Sequence, residues 1–466
     1  MRRMSGIDAA FLYGETPAWH MHVSAVLIAD AASVPGGFSV ERLKRQTAAR
    51  LHLAPQFRWR LVEVPLGLDR PGWIEDPDFD IDAHVRRIGV PSPGGPEQLG
   101  NLIGDLVSIK LDRRKPLWEF WVIEGLEGGK VAILAKIHHA IIDGVSGSEM
   151  ATVLMDLEAD PPPIEPPLEP RAIEPVPNPF ELAARGVGHT LLTPYRAVRF
   201  AEQTVRQGLK FIGFQQRDNT PPIPFQAPRT SFNAELTANR RFAYHTVPLD
   251  DVRAIKNAFG VKVNDVVLAI CSGTLRRYLE SRDERPETPL IAQVPVSLRT
   301  DDDKSDVGTK VGAMFASLAT EIDDPAERLM AIHDSTQSAK EMQRALAADR
   351  IMGISETAPP AMISLAARMY TLAGLDSLTP PIMNLIISNV PGPPFPIYCA
   401  GAKLEAIYPM GPLLYGTGVN VTVFSYIDKI DFGFMVCRDL VPDPWFLAEG
   451  VQAALDELVL AAKERG

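Results

Sequence analysis

The sequence predicts a mixed α/β protein organised as two domains, and three observations carry that expectation. Short runs rich in branched apolar residues, of strand length, alternate with longer stretches at helical spacing in both halves of the chain. A segment reading Pro161-Pro-Pro-Ile-Glu-Pro-Pro-Leu-Glu-Pro-Arg-Ala-Ile-Glu-Pro175 can sustain neither a helix nor a central strand and reads as an extended linker. At 466 residues the chain is also longer than one domain usually is.

The elements follow in chain order. Residues 21–28 have strand character and residues 39–51 read as a capped helix. Residues 117–124 pair naturally with 131–137 as a hairpin, the second run being opened by Gly128-Gly129. These make residues 1–157 one lobe. Residues 158–239 hold the Pro-rich linker and crossover helices: a helical stretch over 180–214, interrupted at Pro194, then a second Pro-rich patch at 221–224. Residues 240–466 form the second lobe. It has an N-capped helix over 263–279, strands over 290–296, 383–388, 418–426 and 430–436, and a closing helix over 445–463.

Composition excludes several classes. With 46% hydrophobic and 23% charged residues the chain is globular, and a net charge of -11 with no long basic run argues against general nucleic-acid binding. Three cysteines, Cys271, Cys399 and Cys437, are too few and too odd for a disulfide framework. The start Met1-Arg-Arg-Met-Ser-Gly-Ile-Asp8 lacks a signal-peptide core, and no run of eighteen apolar residues occurs, so a cytoplasmic location is expected.

The chemistry concentrates at Lys136-Ile-His-His-Ala-Ile-Ile-Asp-Gly144, which reads His138-His139-x-x-x-Asp143-Gly144 at the end of the buried strand run. A neutral imidazole accepts a proton near neutral pH and returns it later, so a His at such a strand end is a candidate general base; a hydrogen-bonded structural His is the competing reading. Spacing alone does not set Asp143 against that ring, but it could orient the loop by pairing with a distant cation. Gly144 fits a sharp turn.

Other signals are set aside. His20-Met-His22 is a candidate metal pair without a third ligand nearby, and a structural role is preferred. Asp76-Pro-Asp78-Phe-Asp80-Ile-Asp82 resembles the start of a calcium loop, yet Ile81 and Arg87 occupy the positions that require Gly and Glu. Ser146 lacks the final Gly of a nucleophile elbow, which disfavours a covalent acyl-serine. No Gly-rich dinucleotide or phosphate-loop pattern is present, and no resident cofactor is expected.

Taken together the motifs resemble the bacterial wax ester synthase/acyl-CoA:diacylglycerol acyltransferase family, within the superfamily of CoA-dependent acyltransferases that also holds peptide-synthetase condensation domains. The resemblance runs nearly end to end: Ser5-Gly-Ile-Asp8-Ala-Ala-Phe-Leu12, Met21-His22-Val23, Pro65-Leu-Gly-Leu-Asp-Arg-Pro71, Asp76-Pro-Asp78-Phe, Pro116-Leu117-Trp118-Glu119, the His motif, Asn264-Asp265-Val-Val-Leu-Ala269, Pro295-Val-Ser-Leu-Arg299 and Ser388-Asn389-Val390-Pro391-Gly392-Pro393.

That resemblance implies two chloramphenicol-acetyltransferase-like lobes, each an open mixed sheet flanked by helices, with an active-site tunnel between them. It implies His139 as the base for direct attack of a diacylglycerol or long-chain alcohol hydroxyl on an acyl-CoA thioester, giving triacylglycerol or wax esters. Acyl-CoA is then a co-substrate. His138 and Asp143 would complete the motif, with Arg299 the candidate partner of Asp143. Asn264 and Asp265 would shape the tunnel or cap their helix, capping being the simpler account of Asn264; Trp118 and Asn389 equally admit core or turn roles.

The stretch containing Leu191, Leu192, Tyr195, Val198, Phe200, Leu209, Phe211, Ile212 and Phe214, with Arg196, Arg199, Arg206 and Lys210 interspersed, suits either a packed crossover helix or a helix lying on a lipid surface. Insoluble substrates favour peripheral association with a membrane or lipid droplet. Two rival functions stand beside the acyltransferase: a carrier-dependent condensation or ester-forming enzyme, and a non-catalytic lipid-binding relative.

Overall fold

The computed structural model describes residues 1–34, 36–65, 69–141, 155–162, 164, 178, 180–182, 222, 225–297, 311–347 and 379–465. The N-terminal part runs β1 (Arg2–Arg3), α1 (Gly6–Gly14), β2 (His22–Asp30), α2 (Val40–Arg50), β3 (Trp59–Val62), β4 (Gly72–Glu75), β5 (Val85–Gly89), α3 (Pro96–Val107), β6 (Trp118–Glu124) and β7 (Val131–His138). From residue 240 follow β8 (Arg240–Pro248), α4 (Leu249–Phe259), α5 (Val263–Glu280), β9 (Ile291–Ser297), β10 (Val311–Ser317), α6 (Pro325–Ala347), β11 (Leu385–Val390), β12 (Tyr398–Cys399), β13 (Ala402–Met410), β14 (Val419–Tyr426), β15 (Lys429–Cys437) and α7 (Pro444–Arg465).

The expected hairpin is β6–β7, with Trp118 opposite Ile137 and a turn through Gly128 and Gly129 at φ 72° and 70°, a backbone region that favours glycine. Every residue of β7 is buried, because both faces of its sheet are covered. Ile133, Ala135 and Ile137 join the core of the outer face; Ala132 and Leu134 pack on the other face with α3 and β8. The strands expected at 290–296, 383–388, 418–426 and 430–436 are β9, β11, β14 and β15, and the closing helix is α7. Ser39 stands at the N-cap of α2, but its side chain makes no capping hydrogen bond.

Both halves build six-stranded mixed sheets, ordered β12-β13-β2-β7-β6-β5 and β10-β9-β11-β14-β15-β8, beside a small sheet β1-β4-β3. The two large sheets do not divide at one point in the chain, as lobes of 1–157 and 240–466 imply. Strand β13 leaves the C-terminal half and pairs antiparallel with β2, Ile407 opposite Leu27. Strand patterning reports burial and not which edge a strand will join. The pairing welds the halves, and the seam is filled by Val26, Ile103, Leu134, Phe242, Tyr408 and Met435. On α3, a Cβ at Gly100 would meet Phe242 O at 2.4 Å and one at Gly104 would meet Arg240 O at 2.7 Å, so glycine lets that helix lie directly on β8.

Candidate active site

His138 ends β7 opposite His22 of β2, and His139 follows one residue beyond the strand. The backbone N–H groups there are tied: His138 N–H donates to Leu117 O (2.9 Å), His139 N–H to Met21 O (2.8 Å) and Ile141 N–H to His138 O (3.1 Å). The two imidazoles then part company. His139 is half-buried and its ring packs on Phe11 of α1 at 4.6 Å between centroids. Burial, and then the neighbouring His138, lower its pKa to about 4, so its ring is neutral at physiological pH.

His138 is buried. Its Nδ1 accepts the Ala140 N–H at 3.0 Å, which leaves the ring proton on Nε2, and Nε2 faces Glu15 Oε1 at 3.4 Å. That contact is long and poorly aligned for a hydrogen bond, yet close enough for the carboxylate's charge to favour a proton on Nε2. Glu15 also accepts the Met21 N–H (3.0 Å) and Arg113 Nη2 (2.9 Å). Burial pushes its pKa up, but His138, the Met21 N–H and Arg113 outweigh that and hold it well below the usual carboxylate range.

Beside His138 the same sheet face carries Lys136, fully buried, whose Nζ donates to Leu106 O at 3.1 Å and also to Ile109 O just past the C-terminal end of α3. A cation suits that end of a helix dipole. Burial is the main cause that lowers the Lys136 pKa to about 8.

In the C-terminal half the predicted residues divide. Asp265, not Asn264, caps α5: its carboxylate accepts the Lys262 N–H (3.0 Å) and is joined to Thr336 Oγ1 (2.8 Å) and His333 Nδ1 (2.7 Å) of α6, wholly out of solvent. The cap falls there because α5 starts at Val263 with Lys262 as N-cap, which puts Asp265 at the third helical position, the one that reaches back. Asn264 instead meets Asn389, the Asn389 Nδ2 donating to Asn264 Oδ1 at 3.4 Å, so two separated motifs converge. Trp118 is a packing residue: fully buried against Phe57, His84 and Phe120, it donates Nε1–H to Phe57 O at 2.7 Å. Asp143, Gly144, Ser146, Arg299 and the hydrophobic and basic residues of 191–214 lie outside the described residues.

His20 and His22 are both buried with rings 5.6 Å apart, and among the described residues no three His, Cys, Asp or Glu side chains converge as metal ligands. The three cysteines are buried free thiols. Also among the described residues, no single helix is long and apolar enough to cross a membrane.

Glu15, Phe11 and Arg113 were not singled out from sequence. Glu15 did carry a signal: it is the C-cap of α1, where the helix dipole disfavours an anion, so a carboxylate there calls for another partner.

Residues 4–267 match the wax ester synthase/diacylglycerol acyltransferase catalytic domain, and residues 307–459 match the C-terminal domain of the same family. A protein of Mycobacterium tuberculosis H37Rv, provisionally named a diacylglycerol O-acyltransferase, is 37% identical over 98% of this chain and 90% of its own length. Another from that organism, similarly named, is 39% identical over 98% and 99%. Among solved structures, the wax ester synthase/diacylglycerol acyltransferase of Marinobacter aquaeolei VT8 superposes with a TM-score of 0.72 at 30% identity, covering 99% of this chain and 100% of that one. The starter condensation domain of rhizomide synthetase, solved with C8-CoA and Leu-SNAC, shares the two-lobe fold at a TM-score of 0.54 and 12% identity, over 99% and 94%.

Proposed function

Since the chain belongs to the wax ester synthase/diacylglycerol acyltransferase family, we propose that it transfers a long-chain acyl group from acyl-CoA to diacylglycerol, giving triacylglycerol, and to long-chain alcohols, giving wax esters. One observation carries the assignment of roles: of the two histidines only His139 is partly open, whereas the His138 ring is buried, bonded at Nδ1 to the Ala140 N–H and faced at Nε2 by Glu15.

In this reading His139 takes the hydroxyl proton of the acceptor. The oxygen attacks the thioester carbonyl, a C–O bond forms, the C–S bond breaks, and the imidazolium returns its proton to the leaving thiolate as CoA-SH. No acyl-enzyme forms. A base of this kind supplies ~10²–10⁴-fold, and the remainder comes from positioning and from stabilising the oxyanion. In the same reading Asp143 and Arg299, both outside the described residues, are assigned to each other as partners, and Asn264 and Asn389, whose side chains meet at 3.4 Å, are assigned to the substrate tunnel. The protein works in the cytoplasm, associating peripherally with membranes or lipid droplets where its acceptors reside. Flotation with liposomes checks this, and a Phe211→Ser/Phe214→Ser protein that floats like wild type would remove the 180–214 stretch from that role.

Ester formation from radiolabelled palmitoyl-CoA, with dioleoylglycerol and hexadecanol offered in parallel, tests the reaction. Product that disappears in a folded His139→Ala variant supports it. A wild-type protein that makes neither ester nor free CoA overturns it in favour of a carrier-dependent or lipid-binding role.

A further inference from the structure

We propose that Glu15 is the positioning residue of this active site, holding His139 from both sides through two separate arms. The proposal rests on His139 as the base.

One arm runs through Met21. Glu15 Oε1 accepts the Met21 N–H at 3.0 Å, and the Met21 carbonyl accepts the His139 N–H at 2.8 Å, so the carboxylate fixes the residue whose carbonyl anchors the peptide of the base. The other arm runs through His138. A carboxylate facing Nε2 favours the ring proton on that nitrogen; Nδ1 is then a bare acceptor, and it receives the N–H of Ala140, the residue just after the base, at 3.0 Å. If the proton moved to Nδ1, two N–H groups would point at each other and the 139–140 turn would have to open. Both flanks of His139 are therefore set by one side chain that never touches its ring.

Glu15 is itself built in. Its side chain is 5% exposed, and Arg113 holds Oε2 at 2.9 Å while donating to Leu12 O at 2.6 Å, which pins the guanidinium to the end of α1. Phe11 of the same helix packs on the His139 ring. The assembly Arg113, Glu15 and α1 thus sets the peptide, the flanking tautomer and one ring face of the base together. Glu63 approaches the same guanidinium from solvent, 3.6 Å from Nη1, and reaches neither arm.

The test is Glu15→Gln, which keeps an oxygen for the Met21 N–H and removes the charge that selects the tautomer. Supporting residues around a catalytic group are commonly worth about 10–100-fold, and the expected result is a fall of that size in kcat with KM for palmitoyl-CoA unchanged. Glu15→Asp recovers part of the loss, and Glu63→Gln leaves kcat at the wild-type value. Nitrogen-15 NMR of histidine-labelled protein gives a readout independent of turnover: His138 carries its proton on Nε2 in the wild type, and in Glu15→Gln, with the carboxylate charge gone, the Nδ1-protonated population rises. Should Glu15→Gln fail to fold, Arg113→Lys is expected to show a kcat loss of the same kind.

A folded Glu15→Gln with wild-type kcat overturns the proposal, as does a His138 proton on Nδ1 in the wild type, or an unaltered Arg113→Lys where Glu15→Gln does not fold. A wild-type protein without acyltransferase activity would instead remove the functional reading, and the NMR result would still stand or fall by itself.

Discussion

Lowering the assay pH from 7.5 to 5.5 separates two accounts of His139. An ordinary histidine, with a pKa near 6.5, is about 91% neutral at pH 7.5 and about 9% neutral at pH 5.5, so a rate that depends on the free base falls roughly tenfold. His139 is held at about 4 by its burial and by His138. It stays about 97% neutral at pH 5.5 by the same arithmetic, and kcat/KM is expected to be flat down to about pH 5. Phe11, 4.6 Å from the ring, is part of what keeps water away. Replacing it with Ser admits solvent and is expected to move the acidic limb upward, towards pH 6.5. The assay is initial-rate ester formation in overlapping buffers of constant ionic strength, at palmitoyl-CoA concentrations below KM. A wild-type limb with its midpoint at 6.5, or a Phe11→Ser limb that stays where the wild type's is, refutes burial as the cause.

Two further outcomes concern stability. Lys136 has a folded pKa of about 8 against 10.5 in the unfolded chain, so between those values the unfolded state binds more protons and stability rises with pH. With a slope that approaches about 1.4 kcal/mol per pH unit above the folded pKa, the wild type should gain about 1.6 kcal/mol from pH 8 to 9.5 relative to Lys136→Met; parallel urea midpoints for the two proteins would refute this. Asp265→Asn leaves one oxygen to serve the Lys262 N–H, Thr336 and His333. It should cost about 2–4 kcal/mol, read as a shift of the urea midpoint at unchanged slope, and a shift below about 0.5 kcal/mol would show that Asp265 does not hold α5 to α6.

How far the fold and site could be read from sequence depended on whether the cause was local. The β6–β7 hairpin was legible because Gly128-Gly129 and two runs of aromatic and branched residues specify it between Trp118 and His138. Helix α5 was legible too, but its cap was misread. Asn264 has the better intrinsic capping chemistry, while helix start and register hand the work to Asp265, a fact set by α6 through His333 and Thr336. Strands β1, β3, β4, β5, β8, β10, β12 and β13 were not identified, and β13 shows why: whether 402–410 completes its own sheet or the other is decided by side chains hundreds of residues away. The site followed the same pattern. The His pair announces itself, but the division of labour between His138 and His139 depends on Glu15, 123 residues before His138, and on an N–H at Ala140.

The placement of β13 has a consequence for how the protein is made. On a ribosome emitting about 5–20 residues per second, the roughly 270 residues between His138 and Met410 take roughly 15–50 s to appear. Throughout that interval β2 is the outermost strand of its sheet, and its Ala-Val-Leu-Ile-Ala run presents unpaired N–H and C=O groups beside exposed apolar side chains, the pattern most prone to capture by another nascent chain. A chaperone holding β2, or a pause that keeps polysomes sparse, would therefore govern yield more than the stability of the finished protein. For the same reason an N-terminal lobe expressed alone should aggregate through the edge that residues 402–410 normally close.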